Sequence, residues 1–328
     1  MRLTITKGAA VSTTRGGLVL AVTSAATFGG SGTFASSLIA SGWSPAAAVV
    51  ARVSLAALVL TVPAIIALRG RWAAFGRGFG RIAAFGVFAV AGCQLFYFNA
   101  MTHLSVGVAL LLEYLGTVLV VGWLWLRHAQ RPRRLTIAGS LVAVAGLALV
   151  LDLAGSSRID VVGVCWGLAA AAGLAVYFVL SAHATDGVGP LPLAWGGLAL
   201  ASVVLWLAGL LGIVRLHAST ADVVLADSRV NFLVALVGLV LVSTVFAYVS
   251  GIAAARRLGA KLASFVGLGE VLAAVAFAWV LLGQVPTALQ LCGGVLIVGG
   301  VALVRVDELR DPDPAPAELA SELAQIAV

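Results

Sequence analysis

The sequence predicts an all-α integral membrane protein, with ten transmembrane helices arranged as two inverted repeats of five. Three observations carry that prediction. First, apolar runs of about twenty residues, long enough to cross a hydrocarbon core of about 30 Å, recur through the chain. Its 328 residues are only 10% charged, where a soluble domain carries about a quarter, and the mean hydropathy is +1.11. Second, the stretch 104–150 is written twice. An ungapped shift of 154 positions lays Leu104 to Val150 on Leu258 to Val304, carrying Trp125 onto Trp279, Gln130 onto Gln284, Pro132 onto Pro286, Gly139 onto Gly293 and Gly146 onto Gly300. In a chain that is 62% hydrophobic, matches among Leu, Val and Ala arise by chance. Matches of Trp, Gln and Pro in one register do not. Third, Lys and Arg fall on alternate sides of the spans.

In chain order the spans are 17–38, 46–68, 81–101, 104–126, 135–153, 161–182, 191–213, 231–254, 262–282 and 288–305. Short breaks carry the punctuation expected of loops: Gly42 and Pro45, Arg69 to Gly80, Arg131 with Pro132, Gly155 to Asp160, Gly187 to Pro192, and Pro286. Pro63 lies in the interior of a span, and Pro192 at the start of another. The connection from Val214 to Val230 reads as a polar surface loop. Residues 1–154 form the first five-helix repeat, 155–306 the second, and 307–328 an acidic, Pro-containing cytoplasmic tail expected to be poorly ordered.

Placing the N-terminus in the cytoplasm puts sixteen Lys and Arg on inner segments and three (Arg158, Arg215, Arg229) on outer ones, with Arg52 left over. That asymmetry sets both termini inside. Spans 4 and 5 recur as 9 and 10, so the repeating unit has five spans. An odd unit makes the two copies enter the membrane in opposite senses, an arrangement common in secondary transporters, whose sites lie near the midplane between the halves. The net charge of +7 does not argue for nucleic acid, because the arginines sit in short clusters between spans. Cys93, Cys165 and Cys292 fall singly in three runs and make neither a disulfide framework nor a metal spacing. The basic N-terminus resembles a signal peptide, but its apolar run is long enough to be a first span.

Glu113 and Glu270 are the two acids within the apolar core. They lie about 12–14 Å from their own surfaces, near the middle of the bilayer. In the repeat register Glu113 matches Gly267 and Glu270 matches Gly116, which puts the two carboxyls one turn apart on corresponding faces. A carboxylate there costs about 2.5–3.5 kcal/mol unless paired, hydrated or protonated, and a low dielectric favours its protonated form. A proton carrier needs that property; a structural Glu bonded to a neighbouring helix is the alternative. Arg52 lies about 10 Å in from the outer surface. An Arg52–Glu113 pair would neutralise both and form an outer gate, and snorkelling of Arg52 to the headgroups is the alternative. Span 3 offers Gln94, Tyr97 and Asn99, span 8 offers Ser243, Thr244 and Tyr248, span 6 offers Trp166 and Tyr177, and span 7 Trp195. Each is a candidate lining group or a helix–helix hydrogen bond. Trp123 and Trp125 read as interfacial anchors, and the glycines of spans 5 and 10 as close-packing positions.

The run Leu111-Leu112-Glu113-Tyr114-Leu115-Gly116, the pair Glu270-Val271 followed by Trp279 to Gly283, the stretch Gln290 to Gly294, and Arg52 in span 2 together resemble the EamA family of the drug/metabolite transporter superfamily. The resemblance spans all ten helices. It implies an inner-membrane carrier with spans 1–4 and 6–9 around a central cavity, exporting amino acids or other small metabolites. The Glu113 stretch looks most like the threonine/homoserine-exporter branch. The family often has Pro where this chain has Thr117 and Val271, and Gly-Glu where it has Gly283-Gln284.

The reading is therefore a secondary active transporter exporting a small polar or amphipathic metabolite, an amino acid being the class expected, by proton-coupled alternating access. Its partners would be the small-molecule substrate and the lipid bilayer, with homodimer formation left open and no cofactor. A channel or a non-transporting scaffold is the rival. Gly29-Gly30-Ser31-Gly32 has the Gly-x-Ser-Gly form of an intramembrane serine protease, but His103, His128, His183 and His217 all sit at span ends or in loops. Neither a zinc-protease motif nor a phosphate-binding loop is present.

Overall fold

The computed structural model describes residues 3–103, 109, 112–128, 132–150, 160–183, 188–283 and 285–310. Gln130, Arg131, Gln284, the 155–159 segment and residues 311–328 of the expected tail lie outside the described residues. The first half comprises α1 (Leu3–Ala40), α2 (Pro45–Ala67), the short α3 (Trp72–Arg77) and α4 (Phe79–Ala84), a π-helical segment π1 (Phe85–Gly92), α5 (Cys93–His103), α6 (Gly116–His128) and α7 (Arg134–Val150). The second comprises α8 (Val161–Ala182), α9 (Pro190–Leu210), strands β1 (Val223–Leu225) and β2 (Ser228–Val230), α10 (Phe232–Val237), π2 (Gly238–Phe246), α11 (Ala247–Gly267), α12 (Gly269–Leu282) and α13 (Ala288–Arg310). Among the described residues six helical segments are long and apolar enough to cross a membrane, and three shorter apolar helices accompany them. Large apolar side chains such as Leu58, Leu141 and Val295 are exposed, as lipid-facing residues are.

Helix starts follow their caps. Ser44 accepts from the Ala47 amide with Pro45 behind it, and Asn231 accepts from Leu233. Asp160 caps α8. The Val162 amide and then His103, 2.9 Å away, hold its carboxyl below the ordinary range. Gly259, at φ 79°, turns the chain between the eighth and ninth apolar runs within the span of α11.

Three features differ from the sequence expectation. The Val214–Val230 connection is a folded hairpin rather than a plain surface loop. β1 and β2 pair antiparallel, Val223 and Leu225 are buried, and Ala226 donates its amide to the Leu281 carbonyl. The last helix runs to Arg310, beyond the expected start of the tail at 307, because Asp307 is buried and accepts a hydrogen bond from Thr136 of α7. Span 4 is interrupted at Leu115 and span 9 at Leu268, and neither position has a proline nearby.

Close contacts fix helix directions. A Cβ on Gly139 would lie 2.7 Å from the Gly300 carbonyl oxygen, and one on Gly146 would lie 2.6 Å from that of Gly293. Advancing along α7 means receding along α13, so the two run antiparallel. Helices α2 and α9 do the same, with Ser54 bonded to Ser202 (2.7 Å) and Thr61 to Trp195 (3.0 Å). Helix α1 runs against π2 and α11, with Gly30 near Ser243 and Ser24 donating to the Ala247 carbonyl. It runs alongside α12, with Ala25 near Gly269 and Gly29 against Ala273. Helix α8 repeats both relations: against α5 (Gly173 on Cys93, Trp166 stacked on Phe96) and alongside the start of α6 (Gly167 on Leu112, Gly116 on Ala171).

Candidate functional site

These packings leave a cavity of about 880 Å³ among α1, α2, α5, α8, α11 and α12, within the size range of small-molecule sites. It reaches Ile39, Pro45, Val285 and Thr287 at the bundle end that carries the α1–α2 turn. Toward the opposite end α1 closes on α11, where Gly17 packs against Leu258 and Gly16 meets Arg257.

Of the residues singled out in the sequence, Glu113, Glu270, Arg52, Gln94, Tyr97, Tyr177 and Tyr248 all line this cavity. They come from both halves of the chain. Five others do not line it: Trp195 bonds Thr61 (3.0 Å), Ser243 lies against Gly30, and three more are turned elsewhere. Asn99 turns its amide back to the Leu95 carbonyl (2.8 Å), Thr244 donates to the Leu239 carbonyl (2.8 Å), and Trp166 stacks on Phe96 with ring centroids 5.7 Å apart.

Each charged group has identifiable surroundings. Glu113 is half-buried just before the Leu115 interruption and receives the Cys93 thiol at 3.2 Å. Glu270 is in the first turn of α12, just after the Leu268 interruption, and the Tyr114 hydroxyl lies within its hydrogen-bonding reach. Tyr114, the sequence neighbour of Glu113, thus bridges to the carboxyl of the other half. Arg52 is 6% exposed and donates Nη1 to Ser31 Oγ at 2.5 Å. Its expected partnership with Glu113 is not made: among the described residues Arg52 forms no ion pair. Nor does it snorkel, because it is buried.

Sequence reasoning passed over several lining groups: Ser24, Ser31 and Thr33 of α1, Cys93 and Tyr114. Ser24, Phe28 and Ser31 follow a helical spacing that marks one face, a signal present in the sequence. The Gly29–Gly32 stretch serves packing and polar contact. Gly29 sits against Ala273, Ser31 takes the Arg52 proton donor, and no histidine lines the cavity among the described residues.

An aromatic cluster walls the cavity. Tyr248 meets Phe28 edge-on at 5.1 Å and Tyr177 at 5.8 Å, and Tyr177 meets Phe178 at 5.0 Å. Among the described residues no group of three or more His, Cys, Asp or Glu is placed to hold a metal ion.

An aromatic-walled cavity carrying a few charged groups, inside a bundle of apolar helices, defines a multi-pass membrane protein built around a solute-sized site. The EamA-like transporter family matches residues 15–152 and 161–306, and the chain belongs to that family, within the drug/metabolite transporter superfamily. It is similar to the pseudopaline exporter CntI of Pseudomonas aeruginosa strain UCBPP-PA14, at 35% identity over 96 residues, 27% of this chain. The same protein from strain PAO1 matches equally. The match spans 34% of these relatives' length. A solved crystal structure superposes with a TM-score of 0.68 at 19% identity, covering 90% of this chain and 99% of the other, a likeness of fold alone.

Proposed function

We propose that the protein is a secondary active transporter that exports a small polar or amphipathic metabolite of the amino-acid class by alternating access, with proton antiport through Glu113 and Glu270. The observation that carries this reading is that both halves of the chain send a carboxyl group into one shared cavity. Two carboxyls that exchange between proton and substrate amine make loading with one exclude the other, as antiport requires.

We read the architecture as ten spans in two inverted halves, in the inner membrane with both termini cytoplasmic. Helix directions support it. Helix α13 is the copy of α7 and runs antiparallel to it, and α9, the counterpart of α2, runs antiparallel to α2. A helix opposed to its own copy requires a symmetry axis in the membrane plane. The partial likeness to an exporter supports outward movement of solute.

Uptake into proteoliposomes of a panel of labelled amino acids, with and without an imposed pH gradient, tests the reading. Accumulation above equilibrium that follows the gradient is expected. Equilibration without accumulation would make the protein a channel and overturn coupling.

A further inference from the structure

Arg52 is a buried charge in the cavity wall that makes no ion pair among the described residues. Its residue is 6% exposed, its guanidinium lines the cavity, and Nη1 is spent on the Ser31 hydroxyl. Nε is fully buried without an acceptor, and no carboxylate among the described residues lies within ion-pair distance. A buried cation left this way is strongly unfavourable unless something supplies the counter-charge. Glu113 and Glu270 share the cavity and act on Arg52 through space, but neither reaches ion-pair distance; their hydrogen bonds go to Cys93 and Tyr114.

A second donor stands in the same cavity in the same condition. The Tyr177 hydroxyl is buried without a partner, and Tyr177 is 6% exposed. Tyr248 packs edge-on against it. Both residues line the cavity of about 880 Å³, and the cationic one describes half of an anion site whose other half is the ligand.

We propose that Arg52 is the anion subsite of the cavity, and that the solute carries a carboxylate seated on the Nε edge of the guanidinium. A planar guanidinium offers two parallel donors along one edge, which matches the two oxygens of a carboxylate. Ser31 holds Nη1 and leaves Nε without a protein acceptor. The carboxyls of Glu113 and Glu270 then face the remainder of the solute, and Phe28, Tyr177 and Tyr248 supply walls for an apolar or aromatic body. This inference deepens the transport reading and rests on it for the word solute, though the subsite is testable by binding alone.

The test compares 3-phenylpropionate with its neutral isostere 3-phenylpropionamide by ligand-induced shifts of the unfolding temperature, using the full chain in lipid nanodiscs. Wild-type protein should bind the acid at least about 10-fold more tightly than the amide, the scale of a charge-assisted pair. Arg52→Gln should bring the ratio to about one, and Arg52→Lys should keep part of it. Equal binding of acid and amide to wild type, binding of neither, or a ratio unchanged in Arg52→Gln each overturns the subsite. The wild-type ratio decides the matter should Arg52→Gln fail to fold. Acid-selective binding through Arg52 without carboxylate flux in proteoliposomes would sink the transport reading and leave the subsite standing. Flux with an unchanged ratio in Arg52→Gln would do the reverse.

Discussion

Gly299 and Gly300 are neighbours on α13, yet alanine should act on them in opposite directions. A Cβ on Gly300 would lie 2.6 Å from the Gly139 carbonyl oxygen and 2.7 Å from both the amide nitrogen and the Cβ of Ala143, while one on Gly299 meets nothing within 4 Å. Both substitutions gain helix propensity of about 1 kcal/mol, so that contribution cancels in their difference. What remains is the displacement of one helix from the other. Two of the three clashing atoms are backbone and cannot rotate away, and overpacking of this kind costs about 1–3 kcal/mol. Gly300→Ala should therefore be less stable than Gly299→Ala by about that amount, with Gly299→Ala at or above wild type. Gly146→Ala, at the copy-related position with 2.6 Å to the Gly293 oxygen and 2.7 Å to the Ile297 nitrogen, should cost about as much as Gly300→Ala. Denaturant titration of the protein in mixed micelles reads these differences. Stabilities of the two neighbours within about 0.5 kcal/mol of each other would refute the antiparallel glycine seam, and with it the main support for inverted halves.

Two further outcomes are expected. Glu113→Gln and Glu270→Gln should each insert normally but flatten the pH dependence of amino-acid accumulation in proteoliposomes; transport with an unaltered pH profile would remove that residue from coupling. In the hairpin turn, Ala226 and Asp227 hold φ of 49° and 56°, a conformation that costs a non-glycine residue about 1–2 kcal/mol. Ala226→Gly should raise the melting temperature or leave it unchanged, and a clear drop would mean that the turn is not in this conformation.

Helical class, membrane residence and duplication were legible because they rest on composition and on residues that mismatch conspicuously when misaligned, such as Trp125 and Pro132. The convergence of Glu113, Glu270 and Arg52 on one cavity was legible for a similar reason: a charge in an apolar run has few places to go. Polar residues without charge were harder to place. Gln94 and Tyr97 reach the cavity, whereas Asn99 and Thr244 close onto their own helix carbonyls. Short side chains that satisfy themselves locally leave no periodic trace separating the two fates. The Val214–Val230 hairpin escaped notice because its strands are three residues each and its turn lacks the usual Asn-Gly or Asp-Gly signal. The Ser31 partner of Arg52 was not among the two alternatives the sequence offered, a Glu113 pair or snorkelling, because sequence gives depth but not azimuth: Glu113 shares its level, and Ser31 shares its side of the bundle.

The backbone irregularities of the two halves show what the duplication has kept. The shift of 154 that aligns spans 4 and 5 with 9 and 10 also carries Phe85–Gly92 onto residues 239–246, so π1 falls on π2 although their sequences differ throughout. Wide turns of this kind collect at functional sites, and here each ends just before the residues that matter, Cys93 and Gln94 in one copy and Tyr248 in the other. The interruptions at Leu115 and Leu268 likewise fall within one residue of equivalence. Each restarts a helix, at Gly116 and at Gly269, so Thr117 and Val271 occupy first-turn positions. First-turn amides lack an intrahelical acceptor, and proline is tolerated there. Thr117→Pro should then cost only the Thr117 hydroxyl bond to the Tyr114 carbonyl (2.9 Å), about 1 kcal/mol. Val121→Pro, in the interior of α6, should cost about 3 kcal/mol or more. Equal losses from the two substitutions would mean that span 4 is continuous, and that Glu113 and Glu270 do not flank matching breaks in the middle of the bilayer.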